Sequence, residues 1–423
     1  MIEMLIAFVA LLFIGTPIAF ALGISGAVGL WMLDIDLITV PTRLFTGMDN
    51  FVLLAAPFYI LAGDVMNRGG ITTKLIKMAS MLTRGVPGGT AYTNVTSSVL
   101  FAGISGAAVA DTAALGQIFI KGMPEEGYDK NYAAAVTIAS SVIGPIIPPS
   151  VIMIIYAAVT RLSVIDLFVA GIIPGLLLGG VMYMVIWVQA RGGGLPVSEP
   201  RSKDGESEPF IRDGLLVLLL PILIVGGTLS GVFTATEAGG VAVIYAILVS
   251  SFVFRTMTLV DLWDAVKTSA RNTAAIYLVI AAASVVSYVL IVGGVTGWIS
   301  EFAGFFSESP VFFLMAVATG LLVLGTFLEP GAAIVLLVPI LAPEAANLGI
   351  DPMQLAMVVI LTLTLGLITP PVGVCLFVAC RIADSPVYPV IKAVFPFFVV
   401  ELGVVLLLIL VPQFSSLLPD LVR

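Results

Sequence analysis

Histidine is missing from this chain altogether, and cysteine occurs only twice. The first absence removes Ser/His/Asp and Cys/His catalysis together with the commonest transition-metal ligand. The second removes a disulfide framework or a Cys-rich metal site, because Cys375 and Cys380 stand alone in an apolar run and read as small packing residues. Charge is scarce as well: 10% of the 423 residues are Asp, Glu, Lys or Arg, against about 25% in a soluble domain. No GxxxxGK(S/T) loop is present to cradle a nucleotide phosphate. The net charge of −8 is spread too thinly for a nucleic-acid footprint. Uphill work by this chain must therefore draw on an ion gradient or on another subunit.

Apolar residues fill the space left by charge. They make up 60% of the chain, and the mean hydropathy is +1.16, so the solvent for most of this protein is lipid. About 20 apolar residues make one helical crossing, and the apolar length suffices for roughly ten to thirteen segments. Runs such as Gly214–Val232 and Val390–Val411 are continuously apolar rather than alternating, which excludes a membrane β-barrel. The expected class is an all-α polytopic membrane protein. Residues 1–33 lack a basic leader and a small-residue cleavage site, so they read as mature protein, either one long tilted helix or two short ones.

A polar stretch, 191–213, divides the chain into 1–190 and 214–423 and reads as a cytoplasmic linker. Adding 222 to first-half positions carries Gly103 to Gly325, Leu115 to Leu337, Ala134 to Ala356, Gly144 to Gly366, and Pro148-Pro149 to Pro370-Pro371. Near that offset Gly69-Gly70-Ile71 also matches Gly293-Gly294-Val295. The loop 67–89 carries Arg68, Lys74, Lys77 and Arg84 without an acid, whereas its counterpart 294–310 carries Glu301 and Glu308 without a base. Basic loops face the cytoplasm, so equivalent loops of opposite bias predict two inverted repeats, an arrangement used by many secondary transporters. Apolar spacing at 71–82 and 295–306 predicts interfacial arms. The four tryptophans fall near segment ends, as in an aromatic belt.

Four interruptions fall in repeat register. Segments at about 91–120 and 311–342 are too long for one crossing and break at Gly103, Ser105 and Gly106, and at Gly325 to Gly331, which predicts two re-entrant hairpins. Crossings at about 132–160 and 354–383 break at Gly144 to Pro149 and at Gly366, Thr369, Pro370 and Pro371. Proline has no N–H to donate, and the carbonyls it releases are hard ligands that suit Na⁺. Each hairpin tip facing a broken helix is therefore a candidate cation site. The first would be built from Gly103, Ser105, Gly106, Gly144, Pro148 and Pro149, and the second from Gly325, Glu329, Gly331, Gly366, Thr369, Pro370 and Pro371. Substrate is expected between them at Ser105, Asp111, Ser140 and Thr362, although such hydroxyls, with Ser141 and Thr364, commonly bond back to their own helix.

Acids inside the membrane are costly, roughly 2.5–3.5 kcal/mol each on insertion scales. Asp111 reads equally as an N-cap of a helix starting at 112 and as a site residue, and Glu329 is open to the same two readings. Glu237, after Thr234-Ala-Thr236, reads as a cap, and Asp64 and Glu401 as structural partners.

These residues resemble the large membrane subunit of tripartite ATP-independent periplasmic (TRAP) transporters, within the ion-transporter superfamily. The matching pieces are Ser105-Gly-Ala-Ala-Val-Ala-Asp-Thr-Ala-Ala-Leu-Gly116, Gly127-Tyr-Asp-Lys130, Gly144-Pro-Ile-Ile-Pro-Pro-Ser150, Leu167-Phe-Val-Ala-Gly-Ile-Ile-Pro-Gly175, Phe233-Thr-Ala-Thr-Glu-Ala238 and Thr369-Pro-Pro-Val-Gly373. The sequence departs from the family at Ala107, where a second serine is common, at Ala235, where proline is, and at Arg161, where a smaller residue is expected. The resemblance implies an elevator in the bacterial inner membrane that imports a small carboxylate with Na⁺ and uses no other cofactor. Expected substrates are a C4-dicarboxylate, sialic acid or another organic acid. It further implies a small four-helix subunit, expected as a separate polypeptide, and a periplasmic solute-binding protein. Two other readings are a stand-alone sodium/carboxylate symporter or antiporter, and an intramembrane lipid-modifying enzyme holding a metal on Asp64, Asp111 and Glu329.

Overall fold

The computed structural model describes residues 2–83, 85–197, 207–306 and 309–422, and the middle of the linker, 198–206, lies outside them. Apart from an isolated bridge between Pro87 and Val197, the described regular structure is helical. The first half runs α1 (Ile2–Phe13), α2 (Ile18–Met32), α3 (Thr39–Met48), a short 3-10 turn, α4 (Ala55–Arg68), α5 (Ile71–Leu82), α6 (Gly89–Ser105), α7 (Ala108–Glu125), α8 (Lys130–Ser141), α9 (Val151–Thr160) and α10 (Val164–Arg191). The second runs α11 (Ser207–Leu229), α12 (Ala235–Leu248), a π-turn, α13 (Leu259–Val292), α14 (Val295–Gly304), α15 (Pro310–Gly325), α16 (Pro330–Asn347), α17 (Pro352–Gly366), α18 (Val374–Ala383), α19 (Val387–Leu410) and α20 (Gln413–Val422).

The N-terminal apolar run resolves into two helices. Gly15 takes the left-handed region at φ +86°, and Pro17 stands just before α2 without a donor to extend α1. Six continuous helices among the described residues are long and apolar enough to cross a bilayer. Other apolar helices are shorter, and at the four interruptions helices come in end-to-end or side-by-side pairs: α6 with α7, α8 with α9, α15 with α16, and α17 with α18.

From the arm onward the two halves share one succession: arm, hairpin, broken helix, long helix. Their local backbone matches as well. Gly70 and Gly294, both left-handed, precede the arms α5 and α14. Gly127 and Gly349, both left-handed, precede α8 and α17. Asp129 then caps α8 by accepting from the amides of Asn131 and Tyr132 at 2.8 and 3.1 Å. Asp351 caps α17 in the same way, from Met353 and Gln354 at 2.9 and 3.0 Å. Cis peptides occur at Pro148-Pro149 and Pro370-Pro371, and α9 and α18 end on left-handed Arg161 and Asp384.

Two bodies of helices meet along a seam. In one, α2, α3 and α4 pack on the 34-residue α13, and α12 packs on α4. Small residues bring α2 against α13: a Cβ on Gly29 would lie 2.7 Å from a Val289 methyl, and one on Gly26 would lie 2.8 Å from Val285. In the other body the halves interlock. The outer piece of each broken helix packs on the hairpin of the opposite half, α9 on α16 and α18 on α7. The basic loops gather on one face. Arg68 donates to Thr268 at 3.1 Å, Thr256 to the Gly69 carbonyl at 2.6 Å, and Lys130 to the Asp384 carbonyl at 2.7 Å, while Lys74 pairs with Asp213. All four tryptophans are exposed, between 46% and 69%, at helix ends or on an arm, as an interfacial belt requires.

The equivalence of the two caps is testable. Asp129→Ala and Asp351→Ala each leave two amides without a side-chain acceptor, so each is expected to lower stability by about 1 kcal/mol, read as a drop in Tm in detergent. Unchanged unfolding in both variants would remove the caps from the account.

A candidate cation and substrate site at the broken helices

The tip of the first hairpin is two residues long, Gly106 and Ala107. Gly106 turns the chain at φ +60°, and any side chain there would meet the Pro149 carbonyl at 2.7 Å. One turn earlier, a Cβ on Gly103 would lie 3.4 Å from the Pro148 carbonyl. The tip therefore rests directly on the break between α8 and α9. That break is buried from Val142 to Pro149 except for half-buried Ile147. Ser150 closes it, capping α9 through the Met153 amide and donating to the Pro145 carbonyl at 2.6 Å. Among the described residues the carbonyls of Gly144, Pro148 and Pro149 accept no hydrogen bond, so they stand as uncommitted oxygen ligands at membrane depth.

Asp111 supplies the charge. It is fully buried, Ser105 donates to its Oδ1, and its Oδ2 has no partner and lies against Gly144, where no Cβ would fit. Helix α7 begins at Ala108 with Ala107 as N-cap, so Asp111 sits in the first turn and is not the cap of a helix starting at 112. Its carboxylate is held by the hairpin tip instead. Around it lies a polar cluster that sequence reasoning mostly missed. Thr112 donates to Ser141 at 2.9 Å, Ser98 to Ser140 at 2.8 Å, and Asn94 to Thr137 at 2.7 Å. Buried Cys375, at the start of α18, comes against Thr112 and Ser141. The available signal was Asn94 and Ser98 at helical spacing inside a membrane-length segment.

The second half makes a related but more open arrangement. Gly325 and Gly366 meet backbone to backbone: a Cβ on Gly325 would lie 2.8 Å from the Leu363 carbonyl and 3.3 Å from the Gly366 Cα. Across the break, the Gly373 amide donates to the Thr326 carbonyl of the hairpin at 3.2 Å. Thr369 bonds back to the Leu365 carbonyl at 2.7 Å. Pro370 and Pro371 are exposed, whereas Pro148 and Pro149 are buried. Glu329 caps α16 through the Ala332 amide at 3.1 Å, and its carboxylate lies where a side chain on Gly331 would reach it at 2.9 Å.

The structure thus brings Gly103, Ser105, Gly106, Asp111, Gly144, Pro148 and Pro149 together, and joins Gly325 to Gly366. Ser140 is engaged by Ser98, Thr364 bonds the Ile360 carbonyl at 2.7 Å, and Thr362 is buried with its hydroxyl unpartnered. Of the other acids, Glu237 completes a capping box with Thr234 and Asp64 faces Arg68 at 3.8 Å. Glu401, expected to have a structural partner, is buried with both oxygens unpartnered. Among the described residues no three of His, Cys, Asp or Glu form a group able to hold a metal, so Asp64, Asp111 and Glu329 do not make the metal site an intramembrane enzyme would need.

Residues 5–414 match the family model described as "Tripartite ATP-independent periplasmic transporter, DctM component". The chain belongs to this family. It is 35% identical to the sialic acid TRAP transporter large permease SiaM of Vibrio cholerae, covering 100% of this chain and 99% of that protein. It is 37% identical to the C4-dicarboxylate TRAP large permease DctM of Pseudomonas aeruginosa, covering 95% and 94%. It is 33% identical to the 2,3-diketo-L-gulonate TRAP large permease YiaN of Escherichia coli, again covering 95% and 94%. The crystal structure of the Alcanivorax borkumensis YdaH transporter shares the fold, with TM-score 0.60 and 17% identity over 89% of this chain and 88% of that one. The TRAP large subunit described here is a multi-pass protein of the bacterial inner membrane, a transporter component and not an enzyme.

Close approach at the two tips sets a further expectation. Gly106→Ala and Gly366→Ala are expected to lose about 1–3 kcal/mol of stability and most transport. Gly320→Ala, where a Cβ would meet nothing within 4 Å, is expected to stay within about 0.5 kcal/mol. Thermal unfolding of the three variants checks this, and equal behaviour of all three would refute the contact.

Proposed function

We propose that this TRAP large subunit imports a small organic anion coupled to Na⁺. Cation sites lie at Gly103, Ser105, Gly106, Gly144, Pro148 and Pro149, and at Gly325, Glu329, Gly331, Gly366, Thr369, Pro370 and Pro371. The observation that carries the reading is the unpartnered Oδ2 of buried Asp111 beside uncommitted carbonyls of the first break. A hard cation is the ligand such oxygens suit, and its charge offsets a carboxylate that would otherwise be costly at this depth. Substrate is proposed to bind between the hairpins, toward Ser105, Asp111, Ser140 and Thr362. The named substrates of the relatives, sialic acid, C4-dicarboxylate and 2,3-diketo-L-gulonate, share a carboxylate, and that is the class proposed here.

In this reading the two halves are inverted repeats, and the interlocked hairpins and broken helices move as one unit along the seam with α13. One charge moving inward through ~100 mV supplies about 2.3 kcal/mol, so two or more Na⁺ drive accumulation even of an anion. A small four-helix membrane subunit and a periplasmic solute-binding protein complete the system.

Uptake of labelled succinate and sialic acid into proteoliposomes tests this, with the small subunit present and with sodium gradient and binding protein each supplied or withheld. Uptake requiring both supports the proposal, and uptake without the binding protein favours a stand-alone symporter. Replacing Pro148-Pro149 by Ala-Ala, or Asp111→Asn, is expected to reduce sodium-dependent uptake on the order of tenfold or more, about 1.4 kcal/mol per decade. Full sodium coupling in both variants would show the first site to be misplaced.

A further inference from the structure

Basic residues on the far side of a membrane protein are uncommon, because Lys and Arg accumulate on the cytoplasmic side. Arg68, Lys74 and Lys130 lie on the face where they and the Gly69 carbonyl join the basic loops to one another. Arg43 and Arg161 stand toward the opposite face. Arg161 ends α9 just before the 28-residue α10, whose other end carries Arg191. At 1.5 Å per residue that helix separates its ends by about 42 Å, a full bilayer. Arg43, on α3, is joined to the far part of α13 through Ser284, which donates to its carbonyl at 2.7 Å.

The two arginines lie 118 positions apart in the chain and line one cavity of about 450 Å³. It straddles the seam: α3 and α13 form one wall, α9 and α16 the other. The Arg43 guanidinium lies over the Tyr288 ring, 3.7 Å from its centroid, which holds it without neutralising it. Among the described residues neither arginine is paired with a carboxylate. Asp49 also lines the cavity, so two cations face one acid. Arg161 holds a left-handed backbone at φ +62°, a place that favours glycine, and the chain keeps a long cationic side chain there.

We propose that this cavity is an extracytoplasmic anion site in which Arg43 and Arg161 together bind the carboxylate of incoming substrate before it reaches the broken helices. The site rests on the import reading above. Because one arginine belongs to each wall, sliding of α9 and α16 past α13 separates the pair and releases the anion. The occupant is a small carboxylate, matched to a cavity of this size and net charge, rather than a protein surface.

The test uses Thr46→Cys, an exposed α3 position lining the same cavity, in the full chain with its small subunit in membrane vesicles, without any ion gradient. The native cysteines are buried, and the parent chain gives the background. Labelling by a sulfonate-bearing methanethiosulfonate is expected to outpace its trimethylammonium counterpart, and Arg161→Gln or Arg43→Gln to reduce that preference on the order of fivefold. Succinate, sialic acid or gulonate is expected to slow labelling, with protection lost in Arg161→Gln and retained in Arg161→Lys. In uptake assays Arg161→Gln is expected to raise KM several-fold at nearly unchanged maximal rate. No charge preference, no protection by any of the three acids, or protection by the binding protein alone would overturn the site. The labelling needs no sodium, so failure of sodium-driven uptake with protection intact would remove the coupling and leave the cavity.

Discussion

A bilayer offers no hydrogen bonds to a polypeptide, and the architecture of this chain follows from that. Every interruption of a helix at membrane depth must be closed by protein or committed to a ligand. The chain breaks its helices four times in the interior and closes most of each break from within. Ser150 takes the Pro145 carbonyl and the Met153 amide, and the Gly373 amide reaches across to Thr326. What is left over is small and specific: a few carbonyls of the first break and one carboxylate oxygen of Asp111. Buried oxygens without a partner also occur elsewhere, at Glu401 and Thr362 among them, but among the described residues only at the first break do a carboxylate oxygen and uncommitted carbonyls stand side by side.

Much of this was readable from residue order. Continuous apolar runs gave the class, and glycine and proline gave the breaks, because both act on the backbone and need no knowledge of neighbours. The Pro-Pro pairs at one offset located both broken helices, and apolar spacing at 71–82 and 295–306 located both arms. The pairing of elements was not readable. That α9 rests on α16 and α18 on α7 depends on contacts between halves, which periodicity within a half does not encode. Asp111 shows the same limit at one residue: a helix starting at 108 rather than 112 turns a would-be cap into a carboxylate held by Ser105. For Glu329 the cap geometry was legible, since Pro330 follows it directly and the helix begins there.

The two breaks differ despite their common register. The first is sealed and holds its acid against Gly144; the second is open at Pro370 and Pro371, and its acid, Glu329, caps α16 beside Gly331. Similar backbone form therefore does not entail similar chemistry. The acid in the second hairpin serves its helix terminus, and the acid in the first is buried against Gly144 with one oxygen unpartnered.

The exchange of α9 and α18 between halves also bears on how the protein is made. When the ribosome has delivered the first half, α9 has emerged but α16, its support, has not been synthesised, and α7 still lacks α18. Neither half has a complete interior by itself, so the assembled core arises only after the last third of the chain is inserted. Translation order and assembly order are thereby decoupled, and the nascent first half must wait in the membrane with its break covered by its own hairpin but with the flanks of α9 and α7 bare.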